Sequence, residues 1–201
     1  MMKPLFAQAL LGLAACAAAA AQAPPDIQQF AQRAVASGDS AQRPFAVVDK
    51  RQARLFVFGA DGRLRGTAPV LLGLAHGDRS VPGIGERPMA QIRPEERITP
   101  AGRFVSEPGR NLQGEDITWI DYGAAVSMHR VRATNPAERR LERLASPGVD
   151  DNRISYGCIN VPADFYDAQL KPVVAAARGV VYVLPDSGPV GALFEFAADP
   201  H

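Results

Sequence analysis

Three apolar runs early in the chain predict a β-meander. β-branched and aromatic residues dominate the runs, and clusters of turn-forming residues separate them. The runs are Phe45–Asp49, Ala53–Phe58 and Leu64–Leu72. In the second run both sets of alternating positions are apolar, so we expect both faces of this sheet to be buried.

The rest of the pattern adds strands and a few short helices. Further strands are predicted at Ile117–Tyr122, Ala124–His129 and Val180–Leu184. Helices are predicted at Asn135–Ala145, with Leu141 and Leu144 as the apolar stripe, and from Pro162 to a break at Pro172. The 18 Gly and 17 Pro residues also favour strands and loops. We predict a mainly β fold, a β-sandwich of mixed sheets with a few short helices.

Residues 73–97 form a long connection rich in Gly, Pro and charged residues. Connections of this length are uncommon unless they have a function. We therefore expect a lid or a cleft wall here.

Residues 1–23 have the features of an export signal. Lys3 precedes an apolar stretch, Leu5–Ala15, and Ala21-Gln22-Ala23 ends the segment in an A-x-A pattern. The apolar stretch is too short for a permanent membrane anchor. The residues up to Cys16 also resemble a lipobox, in which Cys16 would carry a lipid anchor. Both routes predict a location in the periplasm or cell envelope, and we favour the soluble product.

Charge and composition give no indication of nucleic-acid binding, and they assign no chemistry to two further segments. Lys and Arg number 22 against 21 Asp and Glu, so no basic surface for nucleic acid is expected. Residues 24–43 are predicted to be a polar linker with a short helix through Ile27, Phe30 and Ala34. The cluster Arg139, Arg140 and Arg143 is interpreted as a solvated helix face, with an anionic glycan contact as the alternative.

Cys158 is the only cysteine outside the predicted leader, so no internal disulfide can form in an exported protein. Gly157 before it would let the backbone approach a reacting carbonyl closely. The start of the helix predicted after it would favour the thiolate over the thiol. Cys158 is a candidate nucleophile, and burial as an inert core cysteine is the alternative.

Three motifs, in this order, resemble those of the L,D-transpeptidase catalytic domain. They are Thr99-Pro100-x-Gly102-x-Phe104, His129 at the end of an apolar strand, and Ser155-x-Gly157-Cys158-Ile159-Asn160. The meander is also similar to the first strands of that domain. The resemblance identifies residues 44–185 as a catalytic domain and leaves 186–201 as a C-terminal tail.

The resemblance implies acyl transfer on peptidoglycan. In this family a cysteine attacks the meso-diaminopimelate carbonyl of a stem tetrapeptide and releases D-alanine. An amine on a neighbouring stem or on a protein then accepts the acyl group. No metal and no organic cofactor is implied, and carbapenems commonly acylate the cysteine.

The residue roles follow from the motif positions and from thiol chemistry. Cys158 is the nucleophile, and His129 is the general base that also holds the thiolate as an imidazolium. The main-chain carbonyl of Arg130 is expected to orient His129, and Ser155 to supply a supporting hydroxyl. The backbone N–H groups of Gly157 and Cys158 are expected to form an oxyanion hole.

The candidate substrate contacts are Tyr156, Asn160, Arg153 and Trp119. For Trp119, plain core packing is the alternative.

Three departures from the family pattern bear on specificity. Arg130 stands where many members have Gly and is expected to add bulk at the cleft. Tyr156 replaces a second histidine, which leaves His129 as the only histidine in the motif region. The interval from His129 to Ser155 is longer than usual by about a helix, which puts the acyl acceptor in doubt.

Three other functions remain as alternatives. The same scaffold can hydrolyse such linkages with water as the acceptor. A catalytically silent wall-binding module is disfavoured by Cys158, His129 and the glycine turn. A zinc site from His76, His129 and Cys158 lacks any ligand pair at close spacing.

Overall fold

The structure is a computed structural model in which residues 22–198 are described. The strands are β1 Phe45–Asp49, β2 Arg54–Phe58, β3 Leu64–Pro69, β4 Leu72–Gly73, β5 Gly102–Val105, β6 Glu107–Arg110, β7 Asp116–Asp121, β8 Val126–Arg130, β9 Arg153–Ser155, β10 Ile159–Val161 and β11 Val180–Val183. The helices are α1 Pro25–Ala36, α2 Arg140–Ala145 and α3 Ala163–Phe165, which continues as a π-helix over Tyr166–Ala175. The predicted leader, with Cys16, lies outside the described residues except for its last two positions. Within residues 22–198, no helix is both long and apolar enough to cross a bilayer.

The central sheet has five strands in the order β3-β2-β1-β11-β5. Its first three strands are the predicted meander, which is confirmed, with β1 and β3 both antiparallel to β2. The late strand β11 enters between β1 and β5, parallel to the first and antiparallel to the second. The motif that begins at Thr99 therefore leads into an edge strand of this sheet.

A second sheet carries the residues of interest. Its four strands follow the order β10-β8-β7-β6. β8 and β10 are parallel and set His129 opposite Asn160. β4 and β9 form a separate parallel pair. The prediction of a mainly β fold with mixed sheets and short helices is confirmed.

The inner core fills the space between the two sheets. One set of alternating positions in β2, Leu55 and Val57, meets Met128 of β8 and Ile159 of β10 there. The π-helix adds Tyr166 and other buried residues four positions apart. This burial keeps the helix intact beyond Pro172, where the sequence wrongly predicts a break.

The outer core lies on the other face of the central sheet, so the predicted burial of both faces is confirmed. Phe56 and Phe58 of β2 pack there with Ile27 and Phe30 of α1 and with Phe194 of the C-terminal tail. Burying one such side chain contributes about 2 kcal/mol. The short helix predicted through Ile27, Phe30 and Ala34 is thus present as α1, and segment 24–43 packs on the sheet, where the sequence predicts a linker.

The helix predicted at Asn135–Ala145 is divided. A 3₁₀ turn over Pro136–Glu138 precedes α2, and Arg139 joins them with a φ of 51°. Leu144 is buried but Leu141 is exposed, so the predicted apolar stripe holds for only one of its two residues.

Candidate active site

Strand β8 presents alternate residues to two different environments. Val126 and Met128 point into the inner core. Ser127 and His129, with Ala125 just before the strand, line a cleft of about 420 Å³. The two-residue period of a strand therefore places three alternate residues of one short segment on the cleft.

Cys158 lies half-buried at this cleft, directly before β10. The helix predicted from Pro162 is found, with α3 beginning at Ala163, but strand β10 separates its start from the thiol. The β-branched residues Ile159 and Val161 are buried in that strand and pair with β8. A helix dipole therefore does not act on Cys158, and other groups must favour the thiolate.

His129 is the main group that favours the thiolate. Burial alone would raise the pKa of the Cys158 thiol, but the hydrogen bond and charge of His129, with hydrogen bonds from Ser127, bring that pKa below its ordinary value. Burial also lowers the pKa of His129, yet its contacts with Cys158 and with the Arg130 carbonyl raise that pKa overall. The two side chains thus favour a thiolate–imidazolium pair.

The other ring nitrogen of His129 fixes its tautomer. Nδ1 lies 2.8 Å from the main-chain oxygen of Arg130. A carbonyl oxygen only accepts, so Nδ1 carries the proton and donates. Nε2 is then the nitrogen left to face Cys158.

The turn over residues 155–158, named the catalytic turn below, is closed by Ser155. Its Oγ donates to the Cys158 carbonyl at 2.6 Å and accepts from the Gly157 N–H at 3.1 Å. The Gly157 N–H is therefore used inside the turn, which contradicts its predicted oxyanion role. Of the two predicted donors, this leaves the N–H of Cys158.

Thr99 braces the same turn from a distant part of the chain. Its buried Oγ1 donates to the Gly157 carbonyl at 2.8 Å and accepts from the Gly73 N–H at 2.8 Å. Gly157 has a φ of +131°, and a Cβ there would lie 2.8 Å from the main-chain oxygen of Ile98. Thr99 of the first motif therefore supports the turn formed by the third motif. The positive φ and the close approach of the Ile98 oxygen require glycine at position 157.

The structure separates the four predicted substrate contacts. Trp119 lines the cleft. Arg153 and Asn160 are buried, so the prediction that they contact substrate is wrong. Arg153 pairs with Asp186, and the ring of Tyr156 lies under Arg97 with 3.9 Å from guanidinium carbon to ring centroid. Tyr156 is not among the residues that line the cleft.

Arg130 does not add bulk to the cleft, contrary to prediction. Its side chain points to the opposite face of β8 from His129, since neighbouring residues alternate along a strand. There it pairs with Asp116 and Asp167 and lies over the Tyr166 ring.

Sequence reasoning missed the far wall of the cleft. The turn between β6 and β7, residues 111–115, is named the wall turn, and its residues 111–113 form this wall. Arg110, Tyr122 and Arg132 complete the rim. The position of Ser127 two residues before His129 could have predicted that Ser127 lines the cleft. No such sequence signal exists for the wall turn, because pairing of strands in the sheet brings it to the cleft.

The connection 73–97 does not line this cleft. The connection instead packs against the turn between β7 and β8. The approach is so close that a Cβ on Gly85 would lie 2.5 Å from the Gly123 carbonyl oxygen. In this connection His76 lies 3.7 Å from Asp150 and 3.9 Å from Asp186. Residues 22–198 contain no group of three or more His, Cys, Asp or Glu side chains arranged to hold a metal ion.

No protein-family model matches the chain, and no curated protein matches it in sequence. Among solved structures it is similar to an L,D-transpeptidase of Enterococcus faecium, with 16% identity, 71% of this chain and 50% of that one covered, and a TM-score of 0.41. For an L,D-transpeptidase of Mycobacterium tuberculosis the values are 17%, 70%, 57% and 0.41. For the helical cell shape determining protein Pgp2 of Campylobacter jejuni they are 13%, 87%, 62% and 0.47. The chain spans about half to three-fifths of the length of these proteins.

Proposed function

We propose that the protein is an exported cysteine acyltransferase of the L,D-transpeptidase type, acting on peptidoglycan stem peptides. One observation carries the proposal. Cys158 and His129 line the same cleft, His129 lowers the pKa of the Cys158 thiol, and the Arg130 carbonyl orients the histidine. The order and identity of the three motifs in the sequence support the substrate class.

The geometry allows each proton to be followed through the reaction. The Cys158 thiolate attacks the meso-diaminopimelate carbonyl carbon, and His129 gives its Nε2 proton to the departing amine of D-alanine. The C–N bond breaks and a thioester remains. An acceptor amine then attacks the thioester, passes a proton to His129 and releases the thiolate.

The oxyanion of each tetrahedral intermediate needs a fixed donor. With the Gly157 N–H engaged by Ser155, the Cys158 N–H is the donor we assign to that role. A single such donor contributes about 3 kcal/mol to the stability of the transition state.

A carbapenem tests the nucleophile directly. We expect intact-mass measurement to show one adduct on the wild-type protein and none on Cys158→Ala. Absence of the adduct from the wild type, or its survival in Cys158→Ala, would contradict the proposal.

Product analysis tests the acceptor. The protein is incubated with a stem tetrapeptide whose free diaminopimelate amine is blocked, with and without a separate acceptor amine. We expect release of D-alanine and a cross-linked product only when the amine is present. A shortened peptide without an acceptor would instead identify the hydrolytic alternative, and no reaction in either tube would favour a silent wall-binding module.

A further inference from the structure

Helix α2 reaches the catalytic turn through one arginine. Arg140 Nη1 donates to Asn160 Oδ1 at 2.6 Å, and Asn160 Nδ2 donates to the Cys158 carbonyl oxygen at 3.3 Å. Two hydrogen bonds thus connect the extra segment between His129 and Ser155 to the residue that bears the thiol. In this respect Arg140 does not belong to a solvated face.

Both ends of this connection are held in place. The Arg140 side chain is only 14% exposed and also pairs with Glu138. The backbone of Asn160 exchanges two hydrogen bonds with Leu71, each 2.9 Å long. The positions of both residues are therefore set by other parts of the fold.

Arg140 decides which way the Asn160 amide points. A guanidinium only donates, so it requires the amide oxygen, and the amide nitrogen must then face the other way. That direction leads to the Cys158 carbonyl, which also accepts from Ser155. Without the guanidinium the amide could turn, and the carbonyl could lose one of its two side-chain donors.

We propose that Arg140 is a positioning residue, which holds Cys158 in reach of His129 by orienting the amide of Asn160. This inference rests on the proposed nucleophilic role of Cys158. It adds a device supplied by the segment that lengthens the His129–Ser155 interval.

Other charged side chains near the Cys158–His129 pair also influence its titration. Arg110 and Arg132 lie across the cleft, and Arg132 is paired with Glu115. Arg130 is engaged with carboxylates on the opposite face of β8. After burial, the charge of Arg140 itself also lowers the pKa of His129.

Charge and position are separated by a substitution that keeps the charge. A cation at residue 140 favours the Cys158 thiolate but disfavours the His129 imidazolium, so removal of the charge alone has no fixed sign. Arg140→Lys keeps the cation and loses the planar fork, so a purely electrostatic role predicts the wild-type alkylation profile and a positioning role predicts slower alkylation.

The test is the rate of alkylation of Cys158 by iodoacetamide as a function of pH, in wild type, Arg140→Lys, Arg140→Met and the control Arg139→Met. Arg139 carries the same charge, is 69% exposed and pairs with Glu142. We expect Arg140→Met to slow alkylation about fivefold near pH 7, the size of one lost hydrogen bond, and to converge with wild type at high pH. Arg139→Met should follow the wild-type curve.

Faster alkylation in Arg140→Met, an unchanged profile, or equal slowing in Arg139→Met would overturn the inference. Arg140→Lys, which also serves should Arg140→Met not fold, keeps the charge but cannot hold Glu138 and Asn160 in one planar fork, so a smaller slowing of the same sign is expected. An unchanged Arg140→Lys profile would likewise overturn it. Because the assay needs no peptide substrate, it distinguishes failure of this inference from failure of the transpeptidase proposal.

Discussion

The catalytic turn and the wall turn face the same cleft but are held in different ways. Two distant parts of the sequence fix the catalytic turn: Thr99 directly, and Arg140 through Asn160, which lies just after the turn. The wall turn depends on its own neighbours. Asn111 Oδ1 accepts from the N–H groups of Gln113 and Glu115, at 3.0 and 2.9 Å.

This difference matches what the proposed function requires of each turn. A thiolate and its base must keep a fixed geometry, because small displacements cost large factors in rate. A wall that meets variable parts of a substrate can be local and exposed. Leu112 at its tip is fully exposed, which is consistent with a surface that selects partners.

The largest expected effect is at the base. His129→Ala should slow acylation of Cys158 by a carbapenem at least about a hundredfold at neutral pH, because the thiolate loses its partner. Time-resolved mass spectrometry measures the rate, and circular dichroism checks that the fold persists. A near-wild-type rate would mean that another group serves as the base.

The pH dependence of alkylation provides the next test. In the wild type the thiolate should persist below the ordinary titration range of a thiol, because His129 lowers the pKa of Cys158 against the opposing effect of burial. In His129→Ala the hydrogen bond and charge of the histidine are lost while burial still raises the pKa of the thiol, so the alkylation midpoint should move to higher pH. A midpoint that stays in place would show that the histidine does not hold the thiolate.

Matched glycine substitutions compare the two turns directly. Gly157→Ala places a Cβ 2.8 Å from the Ile98 oxygen at a φ of +131°, so we expect a destabilisation of about 3 kcal/mol and more than about tenfold slower acylation. At Gly114, with a φ of +81° and no atom within 4 Å, alanine should cost only about 1 kcal/mol. Urea unfolding of both variants gives the free energies, and equal costs would remove the distinction between the turns.

Loss of the Thr99 hydroxyl is expected to lower the free energy of unfolding. Thr99→Val keeps the shape but leaves the Gly73 N–H and the Gly157 carbonyl without their partner, at a cost of about 2–4 kcal/mol. The control Asn111→Ala removes comparable hydrogen bonds at an exposed site and should cost less than about 1 kcal/mol. Denaturant midpoints compare the two.

The smallest effect on stability is expected at the tip of the wall. Leu112→Ser should change the free energy of unfolding by less than about 0.5 kcal/mol, because the side chain is fully exposed. Steady-state kinetics with a stem tetrapeptide should show a change in KM with little change in kcat. A large loss of kcat would place Leu112 among the groups that affect the chemistry.

Much of this arrangement could be predicted from the chain alone, because the signals are local. Runs of β-branched and aromatic residues between turn clusters predict the meander, and a run of small apolar residues predicts the strand that carries His129. The motif around Cys158 identifies the thiol without any knowledge of its neighbours. The lone cysteine and lone motif histidine leave little choice of partner.

Tertiary structure decided what depends on pairing between distant segments. Ile159-Asn160-Val161 is too short for its periodicity to indicate a strand, and it becomes one by pairing with β8 and bridging to Leu71. That pairing buries Asn160 and separates Cys158 from the start of the next helix. It also places the amide of Asn160 where Arg140 can donate a hydrogen bond to it. The identity of the proposed reacting residues is thus a property of the sequence, while the groups that hold them are determined by contacts that form only when the sheets close.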